Sequence, residues 1–170
     1  ARFCGIGSDR FGHFDGFDVS EERELMTSTG ARSHMSLALD EARAAAERGE
    51  VPVGAVIVSA SGDVLVLAGN RTRELNDPTA HAEILAIRAA CSVLESERLV
   101  DCDLYVTLEP CPMCAAAISF ARIRRLYYAA GDPKSGGVEH GPRIFSQTTC
   151  HHAPEVYPGL AEPESAALLK

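Results

Sequence analysis

Apolar and polar positions divide the chain into segments of different period. Met35 to Arg48 is Ala-rich and amphipathic at helical spacing and is followed by Gly49, which predicts a helix ended at that glycine. Val53 to Ser59 and Val64 to Ala68 are rich in β-branched residues and flank Ser61-Gly62-Asp63, the signature of a hairpin. Asp77-Pro78-Thr79 reads as a turn opening a second helix from about Ala80 to Leu94. A strand is predicted at Leu104 to Leu108. A helix follows, with Pro112 at its first position and Ala115-Ala116-Ala117 continuing it. Another strand is predicted at Arg125 to Ala129, Gly131 to Pro158 reads as loop, and Glu162 to Lys170 begins a last helix. Strands alternating with helices after an initial hairpin imply an α/β fold, a mixed sheet covered by helices.

The first thirty or so residues do not share this patterning. Phe3 to Phe17 is rich in Gly, Phe and Asp without a period, and Ser20 to Gly30 is polar. Too few aliphatic residues lie there to build a core, so residues 1–32 are expected to be a flexible N-terminal extension and residues 33–170 the functional domain. Met26 is a candidate natural start.

Composition narrows the class. At 170 residues and 46% hydrophobic, the chain can bury one ordinary core. No apolar run approaches the length of a membrane span and no secretory leader is recognisable, so no membrane partner is expected. Cys4, Cys102 and Cys150 show no disulfide spacing, and Cys91 reads as a small hydrophobe in a helix. A reducing, cytoplasmic compartment fits that usage.

Two short runs carry the chemistry, His81-Ala82-Glu83 and Pro110-Cys111-Pro112-Met113-Cys114. Catalytic zinc takes three protein ligands and keeps one position open for water. His81, Cys111 and Cys114 supply three ligands, and Glu83 is left to move protons. Cys111 and Cys114 are three apart at a helix N-terminus, where the partial positive charge favours thiolate. His81 and Glu83 fall in the first turn of their helix, about 200° apart around its axis. They converge only if the helix end points at the metal. A lone C-x-x-C also suits a structural zinc ribbon or a redox dithiol. A closed site would need a fourth ligand, and Cys150-His151-His152 sits in a Pro-rich stretch that reads as loop.

The pair of runs matches the H-x-E…P-C-x-x-C signature of zinc deaminases acting on cytosine and adenine. Gly69-Asn70-Arg71, Asp77 to Ile84, Leu104 to Cys111 and Asp132-Pro133-Lys134 extend the match, and from about Ser33 to Lys170 the chain resembles the bacterial tRNA-specific adenosine deaminases. The resemblance implies a cytidine-deaminase-like three-layer α/β/α sandwich and one zinc ion per subunit. It further implies hydrolytic conversion of adenosine to inosine at the wobble position of a tRNA anticodon. The implied partners are the anticodon stem-loop, not DNA, and a second copy of the chain, with Ala115-Ala116-Ala117-Ile118 offering a small-residue face. Asn70 would bond the purine, Asp132 a ribose hydroxyl and Lys134 a phosphate. The family's terminal helix normally continues into an aromatic and basic segment, whereas this sequence reaches Lys170 directly after Ala166-Ala167-Leu168-Leu169.

Charge pulls the other way. The net charge is −8, and the first 32 residues account for only −2 of it. RNA-binding domains usually carry a basic footprint. Any cationic groove must therefore be local. Arg71, Arg73 and Lys134 border the expected pocket, whereas Arg122, Arg124 and Arg125 suit a solvated face equally well. Two alternatives remain at this level. A free-base or nucleotide deaminase of the guanine or cytosine type would use the same zinc and glutamate. A zinc-stabilised, non-catalytic module would have no need of Glu83.

Overall fold

A computed structural model of the chain describes residues 33–170, which lie within one unit, Arg32–Lys170. The expected extension, residues 1–32, lies outside the described residues. Ser33 caps the first helix, its hydroxyl accepting the Ser36 N–H, and α1 runs His34–Glu47 with Met35, Ala38, Leu39, Ala42 and Ala45 buried. Gly49 follows with φ +76°, the left-handed geometry that glycine adopts without a Cβ penalty.

Five strands form one sheet: β1 Gly54–Val58, β2 Val64–Gly69, β3 Asp103–Leu108, β4 Arg125–Ala130 and β5 Glu155–Pro158, in the order β2-β1-β3-β4-β5. β1 is antiparallel to β2 and to β3, while β3, β4 and β5 are mutually parallel. The remaining helices are α2 Ala82–Val93, α3 Pro112–Ala121 and α4 Glu162–Leu168.

Alternation along the strands builds two cores. Ala55, Ile57, Leu104, Val106, Leu126 and Tyr128 pack with Ala82, Ala86 and Ala90 of α2 and Ala115 and Ile118 of α3. Val56, Val58 and Ala129 point the other way, onto Met35, Ala38 and Leu39 of α1, with Leu168 of α4 against the same cluster. The result is the α/β/α sandwich. β1 is buried along its whole length because both faces are covered, and its sequence is accordingly a continuous apolar run. Each large aliphatic side chain fully buried here, such as Ile57 or Leu104, contributes about 1.5–3 kcal/mol. Gly54 sets the closeness of α1: a Cβ there would lie 2.0 Å from the Ala38 carbonyl oxygen.

The structure corrects two expectations. The stretch read as loop between Gly131 and Pro158 contains a short 3-10 turn, Ile144–Ser146, and β5 at the sheet edge. β5 is four residues long and largely exposed, so it carries no alternation to read, and its terminal Pro158 is tolerated at an edge. α2 begins at Ala82 and not near Ala80. His81 precedes it with φ −71° and ψ 152°, held extended by the Asp77-Pro78-Thr79 turn, in which Asp77 accepts from the Thr79 N–H and hydroxyl.

Candidate active site

Since β1 opposes both β2 and β3, the C-terminal ends of β2, β3 and β4 lie at one edge of the sheet. Open α/β sheets bind ligands outside those ends. β2 leads into Asn70, β3 into Glu109 and Cys111, and β4 into Asp132. The Arg71 N–H donates to the Ala80 carbonyl, which joins the Asn70 loop to the segment holding His81.

Cys111 is the N-cap of α3 and Pro112 its first residue, as the sequence predicts. His81 is the N-cap of α2, one residue before the helix and not within its first turn. Both helices thus point their N-terminal ends at one spot. His81 Nδ1 lies 3.7 Å from Cys111 Sγ and 3.5 Å from Cys114 Sγ, and all three donor atoms fall within 4.8 Å of one another. Tetrahedral zinc, with bonds of about 2.3 Å to sulfur and 2.0–2.1 Å to nitrogen, needs nitrogen–sulfur separations of about 3.6 Å. The donor set fits zinc.

The neighbouring Cys114 and His81 lower the Cys111 pKa, whereas Cys111 and burial raise that of Cys114. The contact to Cys111 raises the His81 pKa. Glu83 is 4% exposed, in the first turn of α2, beside Cys114, and burial raises its pKa. A carboxyl poised in this way can both accept and return a proton.

The other predicted groups are arranged around this centre. Asn70 is buried, with its Nδ2 near Glu50 and Thr72. Asp132 spends one oxygen, Oδ1, on the N–H groups of Lys134 and Ser135, so half of its carboxylate closes its own turn. Lys134 is exposed and forms no ion pair among the described residues. Among the arginines, Arg124 makes a two-pronged pair with Asp103, Arg125 pairs with Glu155, and Arg122 donates to the His151 carbonyl. That group is structural. Cys150 contacts Ser119, and His152 bonds the Ile123 carbonyl, so neither joins the metal cluster.

Two residues that the sequence reading passed over organise the loops. Glu50, buried, accepts from the Arg73 and Glu74 N–H groups and from the Thr72 hydroxyl. Glu109, also buried, accepts the N–H groups of Asp132, Val138, Glu139 and His140, and His140 Nδ1 lies 2.6 Å away. Burial would raise its pKa, but these donors outweigh it and hold Glu109 at about 2. An acidic residue directly before Pro-Cys, two residues from a metal ligand, was the available sign of this role.

Residues 28–130 match the family described as the cytidine and deoxycytidylate deaminase zinc-binding region. A tRNA-specific adenosine deaminase of Agrobacterium fabrum is 69% identical over 140 residues, covering 82% of this chain and 91% of that protein. The chain belongs to the deaminase family, in its tRNA-specific adenosine branch. A solved structure from a study of A-to-I editing by tRNA:A34 deaminases at the wobble position is 70% identical, with TM-score 0.79, covering 80% of this chain and 98% of the other. The fold extends across deaminases of other substrates. A guanine deaminase from Nitrosomonas europaea superposes with TM-score 0.69 at 25% identity, covering 80% of each chain. Zinc is the metal of this deaminase family, and the His81–Cys111–Cys114 cluster has the donors to hold it.

Proposed function

We propose that this deaminase, as residues 33–170, converts adenosine to inosine at the wobble position of a tRNA anticodon in the cytoplasm. The observation that carries the reading is 69% identity across 91% of a tRNA-specific adenosine deaminase. The metal-ligating, acidic and amide groups expected from the sequence also lie at one sheet edge. Among the described residues no helix is long and apolar enough to cross a membrane.

His81, Cys111 and Cys114 would hold the zinc, which when bound would acidify a water to serve as the nucleophile. Glu83 takes the proton of the attacking water and passes it to N1 of adenine. It then takes the proton of the new C6 hydroxyl and gives it to the amine, so that the C6–O double bond forms as the C6–N bond breaks and ammonia departs. The base must first leave the stack to reach this depth. Asn70 meets its polar edge, the unspent oxygen of Asp132 accepts from a neighbouring ribose hydroxyl, and Lys134 meets phosphate.

The test is deamination of an anticodon stem-loop beside a panel of free nucleobases. Inosine in the RNA supports the reading, whereas ammonia released only from guanine or cytosine replaces it with the free-base one. In the same assay Asn70→Ala should lose at least about 10-fold in kcat/KM. Asp132→Asn should relax discrimination against DNA more than it slows RNA. Lys134→Ala should weaken binding and reduce its log–log salt slope by about 0.7, one phosphate contact on a single strand. Parental behaviour in all three variants would remove the RNA assignment.

The active form is proposed to be a homodimer, with substrate contacts near the junction. The small-residue face expected on α3 is only half available, because Ala115 and Ile118 are fully buried in the core of their own subunit. Ala117 also packs against that core, which leaves half-buried Ala116 and the 70%-exposed Phe120. Sedimentation at micromolar concentration should give twice the chain mass, and a strict monomer would end the claim.

A further inference from the structure

Glu50 lies where the chain leaves α1 and enters β1, yet its carboxylate points into the loop that carries Asn70. Its Oε1 accepts the Arg73 and Glu74 N–H groups, both at 2.9 Å, and its Oε2 accepts the Thr72 hydroxyl at 3.1 Å. Asn70 Nδ2 stands 3.3 Å from that same Oε2 and 3.4 Å from Thr72 Oγ. A carboxylate receiving these donors is ionised and only accepts. The amide atom facing it must therefore be the nitrogen, so Glu50 decides which way round the Asn70 amide sits.

The geometry also shows what is left over. Nδ2, Oε2 and Oγ form a nearly equilateral triangle, and the two hydrogens of a planar amide diverge too widely to serve both other corners. One hydrogen is shared between them. The second hydrogen and Oδ1 remain, and no group among the described residues donates to Oδ1. That oxygen is also not sealed away, since no buried side-chain oxygen lacks a partner. Asn70 thus offers one donor and one acceptor side by side, in a fixed order. Adenine presents the complement on one edge, an acceptor at N7 and a donor at N6, which an asparagine amide pairs with two bonds. Turned over, the same amide would set donor against donor and acceptor against acceptor.

We propose that Glu50 is a positioning residue for substrate choice, fixing the order in which the Asn70 amide meets the N7 and N6 groups of the purine. This rests on Asn70 being the base contact. Glu50→Gln is the sharp variant. Its oxygen can keep the two backbone N–H groups, which leaves its NH2 facing Asn70 and turns that amide over. Glu50→Asp, still acceptor-only, keeps the order at shorter reach.

The experiment compares anticodon stem-loops carrying adenosine or 7-deazaadenosine at the target position, with zinc content and melting temperature measured for each protein. The parent should prefer adenosine by at least about tenfold, because 7-deazaadenosine lacks the N7 acceptor. E50Q, with zinc retained, should lose about 10- to 100-fold on adenosine and show a preference near one or inverted. E50D should be slower on both substrates at the parental ratio. A parent indifferent to 7-deazaadenosine overturns the proposal without any variant, which keeps it exposed even if E50Q does not fold. A folded E50Q with the parental ratio overturns it equally. Near-parental activity of Asn70→Ala is a separate result and removes the base contact itself.

Discussion

Glu83→Gln should retain a full complement of zinc while inosine formation falls by about 10²–10⁴-fold, the usual worth of a positioned acid–base group. The buried carboxyl is two residues beyond His81 but outside the three-donor cluster, so its loss leaves the metal ligands intact. Glutamine keeps the shape and can neither take nor return a proton. Because one carboxyl serves several transfers in turn, the loss should reach the upper part of that range. Metal analysis and single-turnover assays on an anticodon stem-loop give both numbers. A zinc-replete variant turning over near the parental rate would take Glu83 out of the mechanism.

Removing a ligand should do the opposite and couple the two readouts. Cys111→Ser, Cys114→Ser and His81→Ala should each lower zinc content and activity together, to near background for Cys114, the fully buried member of the set. Metal that binds the folded chain adds its binding energy to folding, so thermal unfolding should move downward as well. Cys150→Ser and His151→Ala should change none of the three, since both residues lie on the far side of α3 with Ser119 and Phe120. Zinc stoichiometry that followed Cys150 would relocate the metal.

The parts of the molecule legible in the sequence are those where a local pattern and a buried environment coincide. α1 was readable from its stripe and Gly49, β1 and β2 from β-branched runs around Gly62, and α3 from Pro112. The clustering of His81, Cys111 and Cys114 was readable because zinc demands particular donor types and a helix start constrains their spacing. β5 was not, because an exposed four-residue edge strand has no buried face to impose alternation. The start of α2 was misplaced by two residues because Asp77 stabilises a turn that competes with the first helical turn. Glu50 and Glu109 escaped notice for a different reason. Their partners are backbone N–H groups brought from 23 to 31 positions away, and a backbone amide leaves no signature in a sequence.

The grip of Glu109 on the loop after β4 divides that loop into two kinds of position. Asp132 and residues 138–140 are tied to a carboxylate two residues from a zinc ligand, and a Cβ on Gly136 would lie 2.6 Å from it. Pro133, Lys134 and Ser135 between them are exposed. Substitutions at these three tip positions can change what the rim of the site touches while the hydrolytic centre stays where it is. If Lys134 meets substrate as proposed, the tip is where substrate contacts can change independently of the three-donor cluster, within a sandwich fold that a guanine deaminase shares at 25% identity.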